Sequence, residues 1–343
     1  MHRIFAPRRQ HWTGRTDRST TRRHRASWVA AAALICLTSL AGAQSYPSRP
    51  VRLVVPFPPG GTIDMVGRLV AQGLSDRLGQ TVVVDNRAGA GGIVGAEVVV
   101  KSSPDGHTLC LCSAGAMISS PLLAAKLPYD SRKDFAPVST LATVPYVLLV
   151  HPTAGPTSVT ALLALARQKP GTLNFGSAGT GSTSHLAGAQ FVAMAGIDVV
   201  HVPFKGSAPA AAEVMGGRIN FVFEAIGAGT QYARSGRMRA IGVSTPKRSP
   251  GLPDVPTISE QGVSGYEMST WHSVCAPRGT PQAVIDRLNR EIVSIMNSSD
   301  VRDRFVAAGT EPGASTPEQL RLRIEQEFGR YEKLLIQLGL LKR

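Results

Sequence analysis

Apolar and polar positions along this chain follow two alternating rhythms. Short apolar runs recur at Val51 to Pro56, Thr81 to Val84, Thr108 to Cys112, Val144 to Val150, Leu173 to Gly176, Val199 to Phe204, Ile219 to Glu224 and Arg239 to Ser244. Each reads as a parallel strand covered on both faces, and each intervening segment as a crossover helix, which is the α/β class. After the first run, Met65, Leu69 and Gly73 fall on one stripe with Val66, Val70 and Leu74 beside it, while Arg68, Gln72 and Asp76 face outward. That 3–4 spacing predicts a helix with one buried face. Near the end of the chain, Thr280-Pro281 predicts a capped helix start running through Met296. Thr316-Pro317-Glu318-Gln319 predicts a capping box for a helix that buries Leu320, Ile324, Phe328, Tyr331 and Leu335.

Composition changes this picture first at the N-terminus. Residues 1–27 hold eight arginines and one aspartate, Trp28 to Leu40 is an apolar run too short to span a bilayer, and Ala41-Gly42-Ala43 has the small-x-small pattern of a signal-peptidase site. Residues 1–43 are therefore expected to be an export signal cleaved near Ala43, so that the mature protein is exported. Arg22-Arg23 is not followed by the rest of a twin-arginine pattern, and Ile35 before Cys36 does not suit a lipoprotein signal. No later apolar segment approaches membrane-spanning length. The leader accounts for +7 of the formal +14, leaving a diffuse positive balance that suits acidic solutes. Nucleic acid is not an expected partner, since basic residues do not interleave with aromatics, which make up only 6% of the chain. Cys110, Cys112 and Cys275 remain in the mature chain and read as small buried hydrophobes rather than a disulfide or metal site.

Some 300 mature residues exceed what one core usually holds, so two lobes are expected. Proline-rich connections at Leu127 to Asp130 and Ser249 to Pro256 flank a central block with its own strand-helix alternation. The expected division is 44–146 for the first part of lobe 1, 147–263 for lobe 2, and 264–343 for the remainder of lobe 1. Two crossings between lobes predict a hinge.

Each lobe carries a glycine turn between a strand and a helix: VPFPPGGTID around Phe57, and NFGSAGTGSTSHL from Asn174 to Leu186. A helix start leaves about four N–H groups without intrahelical partners and carries roughly half a positive charge, so it binds oxyanions when glycine allows close approach. Gly60 and Gly61 provide that approach in the first turn, and Thr62 either caps the helix or donates its hydroxyl. Asp64 either stabilises the helix start with Arg68 or binds a ligand ammonium or water. Ser177, Thr180, Gly181, Ser182 and Thr183 supply the second turn; His185 either contacts ligand or hydrogen-bonds within the turn. Glu224 either faces the cleft or is a solvated strand end, and the same choice applies to Lys205. Asn86 to Gly92 forms either a third nest or a tight turn. A small molecule with an acidic group at each end fits two opposed helix starts best.

These segments resemble the periplasmic receptors of tripartite tricarboxylate transporters, the Bug family. The resemblance rests on PSRPVRLVVPFPPGGTIDMVGRLVAQ, VVVDNRAGAGGIVGAEVV, NFGSAGTGSTSHLAGAQF, VPFKGSAPAAAEVMGGRINFVF, LPDVPTISEQG and YEMSTWHSVCAPRGTP, and covers nearly the whole mature chain. It implies a two-lobed type II periplasmic binding fold, each lobe a mostly parallel sheet flanked by helices. It also implies lobe crossings near Thr143 to Val147 and Tyr266 to Ser273, and a cleft that closes on a mono- or dicarboxylate, often through ordered waters. The implied partners are membrane transporter subunits or a sensor ectodomain, with a monomer expected. Thr62-Ile63 between the glycines and Asp64 leaves the choice of ligand open.

Enzymes fit less well. Gly179-Thr180-Gly181 begins a dinucleotide motif, but Ser184 replaces its last glycine and no acidic residue follows at the required spacing. No G-x-S-x-G elbow occurs. His107, His151, His185, His201 and His272 are scattered singly and read as structural. No catalytic residue, metal or cofactor is expected.

Overall fold

All eight apolar runs form strands, but the chain contains more strand than those runs marked. The computed structural model describes residue 11 and residues 46–307 and 309–341; the expected leader, its cleavage point and Cys36 lie outside the described residues. The strands are β1 (Val51–Val55), β2 (Val82–Asn86), β3 (Thr108–Ser113), β4 (Phe135–Val150), β5 (Asn174–Ser177), β6 (Val200–Pro203), β7 (Phe221–Ala225), β8 (Arg239–Val243), β9 (Ser269–Pro277) and β10 (Glu311–Pro312). The helices used below are α1 (Thr62–Leu78), α2 (Ile93–Val100), α3 (Ser120–Leu123), α4 (Val159–Gln168), α5 (Thr183–Ala195), α6 (Ser207–Met215), α7 (Ile226–Arg234), α8 (Gln282–Met296), α9 (Ser299–Ala307) and α10 (Pro317–Gln337).

The sheet order is β2-β1-β3-β9-β4-β7-β5-β6, with β8 and β10 also paired to β4. β1 pairs parallel with β2 and β3, and β5 pairs parallel with β6 and β7. The expectation of a mostly parallel sheet is corrected here, because every pairing of β4 and β9 is antiparallel. The reason is the path of the chain. β4 carries it out of the first half of the sheet, and β9 brings it back in the opposite sense alongside. The first part of β4 pairs with β9 from Phe135 to Pro145, and its last five residues pair with β7 and β8.

Apolar faces of the helices cover both sides of this sheet. On α1, Val66, Val70 and Leu74 are buried while Met65 and Leu69 are half-buried, so the inner stripe is the Val66 row. Thr316 caps α10 through the expected capping box, and Leu320, Ile324, Tyr331 and Leu335 are buried. Phe328 is only half-buried, with the Arg132 guanidinium 4.9 Å above its ring. Thr280 does not cap α8, because its hydroxyl turns back to donate to Pro277 O at 2.8 Å and Pro281 occupies the cap position. Cys110, Cys112 and Cys275 are buried free thiols, with Cys110 directly opposite Cys275 across the β3–β9 pair. Burial raises the Cys112 thiol well above its ordinary range, which keeps it protonated and inert. Among the described residues no helix is long and apolar enough to cross a membrane.

Candidate functional site

The turn between β1 and α1 is held open by a carboxylate knot. Gly60 sits at φ +92°, a left-handed conformation that favours glycine, and its N–H donates to Asp64 Oδ2 at 3.1 Å. Asp64 also accepts a bidentate pair from Arg68 at 3.0 and 3.1 Å and a bond from Asn86 Nδ2 at 3.0 Å. Burial pushes the Asp64 carboxyl up, but these donors outweigh it and hold the group below its ordinary range. Asn86 Nδ2 reaches Phe57 O as well, so one amide ties β2, the turn and α1 together. The Asp64 and Met65 N–H groups turn back to Gly61 O. Thr62 and Ile63 thereby keep N–H groups with no described partner.

The turn between β5 and α5 is built from hydroxyls. Ser182 Oγ accepts from His185 N and caps α5, while Ser184 Oγ accepts from Ala178 N at 2.9 Å. His185 Nδ1 accepts from Gly181 N at 3.1 Å, and its ring stacks 4.0 Å from that of His201. His201 Nε2 in turn lies 2.7 Å from Ser177 Oγ. Burial, followed by the neighbouring His201, pushes His185 down to about 3, and burial pushes His201 down to about 4, so both rings are neutral props. Gly179, at φ +120°, and Gly91, at φ +63°, let the second turn meet the third glycine segment almost backbone to backbone: a Cβ on Gly91 would lie 2.8 Å from Thr180 O.

Two further helices start beside these turns. α6 follows Gly206, which is packed so tightly on Pro58 that a Cβ there would lie 2.3 Å from Pro58 Cδ. α7 follows Glu224-Ala225 at the end of β7. Thr62 links α1 to α7 across the two halves of the sheet, its hydroxyl donating to Ala225 O at 3.1 Å and accepting from Ala228 N at 2.8 Å. Ser119 Oγ makes a similar tie, donating to Gly181 O at 2.6 Å.

All four helix starts wall one cavity of about 50 Å³. By the measure in which a water needs ~10–15 Å³, it accommodates a small solute. Of the residues expected at the site, Phe57, Gly61, Thr62, Ser182, Thr183 and Glu224 line it. Gly60, Asp64, Ser177, Thr180, Gly181 and His185 do not. Thr180 is exposed, and the other five shape the two turns from behind.

Of the lining residues that the sequence reading missed, Pro58, Ile63, Ala178, Ser184 and Ala225 are neighbours of expected ones, and the rest lie on α6 and on three strands. Ser207 begins α6, and the Lys205-Gly206 step before it was its available signal. Ser113, Tyr146, Thr270 and His272 lie on β3, β4 and β9 and form the floor. Of these strands β4 alone pairs with both halves of the sheet, through β9 on one side and β7 and β8 on the other.

Among the described residues no lysine or arginine lines the cavity. Positive potential comes instead from four helix N-termini, each worth roughly half a charge. Glu224 is the one carboxyl in the wall among the described residues; it is 1% exposed, and burial raises it to about 7 against the Ser207 hydroxyl and the Ala225 N–H. His272 is likewise buried, and burial lowers it to about 3. Amides at helix starts and hydroxyls of this kind suit an anion. Among the described residues no group of three or more His, Cys, Asp and Glu is placed to hold a metal ion.

Comparison with known proteins places these features in context. The family model described as "Tripartite tricarboxylate transporter family receptor" matches residues 66–340. Protein BugT of Bordetella pertussis is 39% identical over 298 residues, covering 87% of this chain and 91% of its own length. The solved structure described as R. palustris Rpa4515 with adipate superposes with a TM-score of 0.83 at 38% identity, covering 86% of this chain and 99% of that one. MatC (Rpa3494) from Rhodopseudomonas palustris with bound malate gives 0.80 at 32% identity, covering 84% and 100%.

Proposed function

The chain belongs to the tripartite tricarboxylate transporter receptor family, whose members bind solutes and are not enzymes, and from that premise we propose that it captures a small mono- or dicarboxylate between two lobes. One lobe comprises residues up to 146 together with 264–343, the other residues 147–263, and β4 and β9 are the hinge crossings of a type II periplasmic binding fold. Export through the leader ending near Ala43 delivers the receptor to the periplasm. There it hands its ligand to the membrane subunits of a transporter.

The observation that carries this reading is the convergence of helix starts from both halves of the sheet, α1 from one and α5, α6 and α7 from the other, on a single cavity without basic side chains. Hydrogen bonds from amides and hydroxyls to a charged group contribute ~1.5–3 kcal/mol each. Three or four of them, after the cost of ordering the ligand, reach the roughly −8 kcal/mol of a micromolar complex. The related structures bear adipate and malate in the same fold, which supports a carboxylate ligand here.

A thermal-shift screen of mono- and dicarboxylates, adipate and malate included, tests the proposal. Ligand at 100 times Kd is expected to add ~2.7 kcal/mol of stability. A midpoint that no organic acid moves, but that a nicotinamide nucleotide raises, would return the nucleotide-enzyme alternative.

A further inference from the structure

Glu224 stands out from the rest of the cavity wall. It ends β7 with its side chain 1% exposed, and its Oε1 accepts from the Ala225 N–H at 3.0 Å. The Ser207 hydroxyl is the neighbouring group that favours its ionised form, but no bond of hydrogen-bond geometry joins it to Oε2, which is buried with no partner among the described residues. An unpaired buried carboxylate oxygen is costly, and each one in a native fold calls for an explanation. The ionisable groups around it are Tyr146 on β4, Tyr232 on α7 and His272 on β9. Burial keeps both tyrosines protonated and His272 neutral, so none of the three supplies a cation. On α1 the Asp64–Arg68 pair is closed on itself and does not line the cavity, and Lys205 before α6 is exposed.

The proposed function brings a second carboxyl group into this space. A cavity of about 50 Å³ leaves the acid group of a ligand only a few ångströms from Glu224. Two carboxylates at such a distance do not both stay ionised, since like charge and burial act in the same direction. The wall offers helix starts and hydroxyls but no full positive charge to offset a second negative one. A shared proton resolves the conflict, because a neutral carboxyl group has an O–H to donate.

Resting on the carboxylate-receptor reading, we propose that Glu224 is a ligand-contacting, specificity-determining residue that enters the complex as the neutral acid. Its Oε2–H donates to a carboxylate oxygen of the solute, so that wherever the free carboxyl is ionised, capture of a ligand also takes up a proton from solvent. The solute class is thereby narrowed to acids with a carboxylate oxygen free to accept at this end of the cavity. Amines and other obligate donors are disfavoured there. The free receptor is already prepared for this role, since burial has raised the carboxyl to about 7.

The test is isothermal titration of the whole mature receptor with adipate and with malate. Titrations at pH 8 in phosphate and in Tris, whose ionisation enthalpies differ, count the protons taken up. The wild type is expected to take up close to one proton per ligand at pH 8 and little at pH 6, with Kd rising about tenfold per pH unit above 7. Glu224→Gln, whose amide also donates, is expected to bind with no proton uptake and a pH-independent Kd over that range. Wild-type binding at pH 8 without proton uptake overturns the proposal, and so does uptake that persists in Glu224→Gln. Binding of an amino-bearing solute that is lost in Glu224→Gln without any proton change also overturns it. Failure of every carboxylate to bind the folded wild type is a different result: it removes the underlying function along with this inference.

Discussion

Replacing Gly61 by valine separates ligand capture from folding. Gly61 precedes α1 with φ −87° and ψ 168°, an extended conformation open to any residue, so the backbone accepts a side chain without strain. A Cβ there meets Ser207 Oγ at 3.1 Å, and the two methyl groups beyond it enter the cavity of about 50 Å³ beside the Thr62 and Ile63 amides. The anion then loses about two charged hydrogen bonds at ~1.5–3 kcal/mol each, which weakens binding by roughly two to four orders of magnitude. Stability of the ligand-free chain changes by about 1 kcal/mol or less, because restricting the unfolded chain offsets part of the crowding against Ser207. Gly60→Val is the control with the opposite signature. Nothing lies within 4 Å of its Cβ position, but φ is +92°, so it costs ~1–3 kcal/mol of stability through backbone strain. Titration calorimetry with adipate or malate and urea denaturation of both variants measure the two quantities. A Gly61→Val protein that binds within threefold of wild type refutes the placement of the anion at this helix start.

Two further outcomes are expected. Thr62→Val removes the hydroxyl that joins Ala225 O and Ala228 N, leaving the buried Ala228 N–H without its partner at ~1–3 kcal/mol. Because separating the two halves returns that group to water, ligand affinity is expected to fall about 10- to 100-fold while the denaturation midpoint moves little; an unchanged Kd contradicts this. Stability is expected to rise from pH 5 to about 6.5 and then to stay nearly level to pH 8, where two opposite effects cancel. His185 and His272 have native values of about 3, below the ordinary 6.5, so their contribution is complete above pH 6.5 and is lost as pH falls toward 3, on the order of 2 kcal/mol each by pH 5. Glu224, raised from 4.5 to about 7, acts in the other direction, stabilising below pH 4.5 and losing that contribution, ~3 kcal/mol, as pH rises through 7. Urea midpoints at pH 5, 6.5 and 8 check this profile, and equal midpoints at pH 5 and 6.5 contradict it.

Eight strands were legible because each is a compact Val/Ile/Leu run that reads the same whichever way its neighbours point. That same symmetry hid their direction, and the antiparallel pairings of β4 emerged only from the path of the chain. β9 and the first nine residues of β4 were not legible. Their inward positions include Ser139, Thr140, Thr270, His272 and Ser273, buried polar residues that break the apolar run. Some are satisfied by the segment around Ser315, which exchanges hydrogen bonds with Ser139 and Thr140; Thr270 and His272 face the cavity. At the site, glycine and hydroxyl turns announced two of the four helix starts. Sequence cannot separate residues that wall a cavity from those that brace it from behind, as Thr62 and Asp64 illustrate: two positions apart in one turn, one lines the cavity and the other is consumed by Arg68, Asn86 and Gly60.

The insertion of β9 between β3 and β4 has a consequence for biogenesis. During synthesis, residues 147–263 emerge as a contiguous block able to pair internally, whereas the strand that joins β3 to β4 arrives only at Ser269–Pro277, with α8 and α10 later still. Until then the nascent chain presents two unsatisfied strand edges, on β3 and on the first part of β4, and such edges recruit neighbouring chains. Assembly of the first half therefore waits for the carboxyl-terminal fifth of the polypeptide, and truncation anywhere before Pro277 leaves a sticky, half-built sheet rather than a smaller functional receptor.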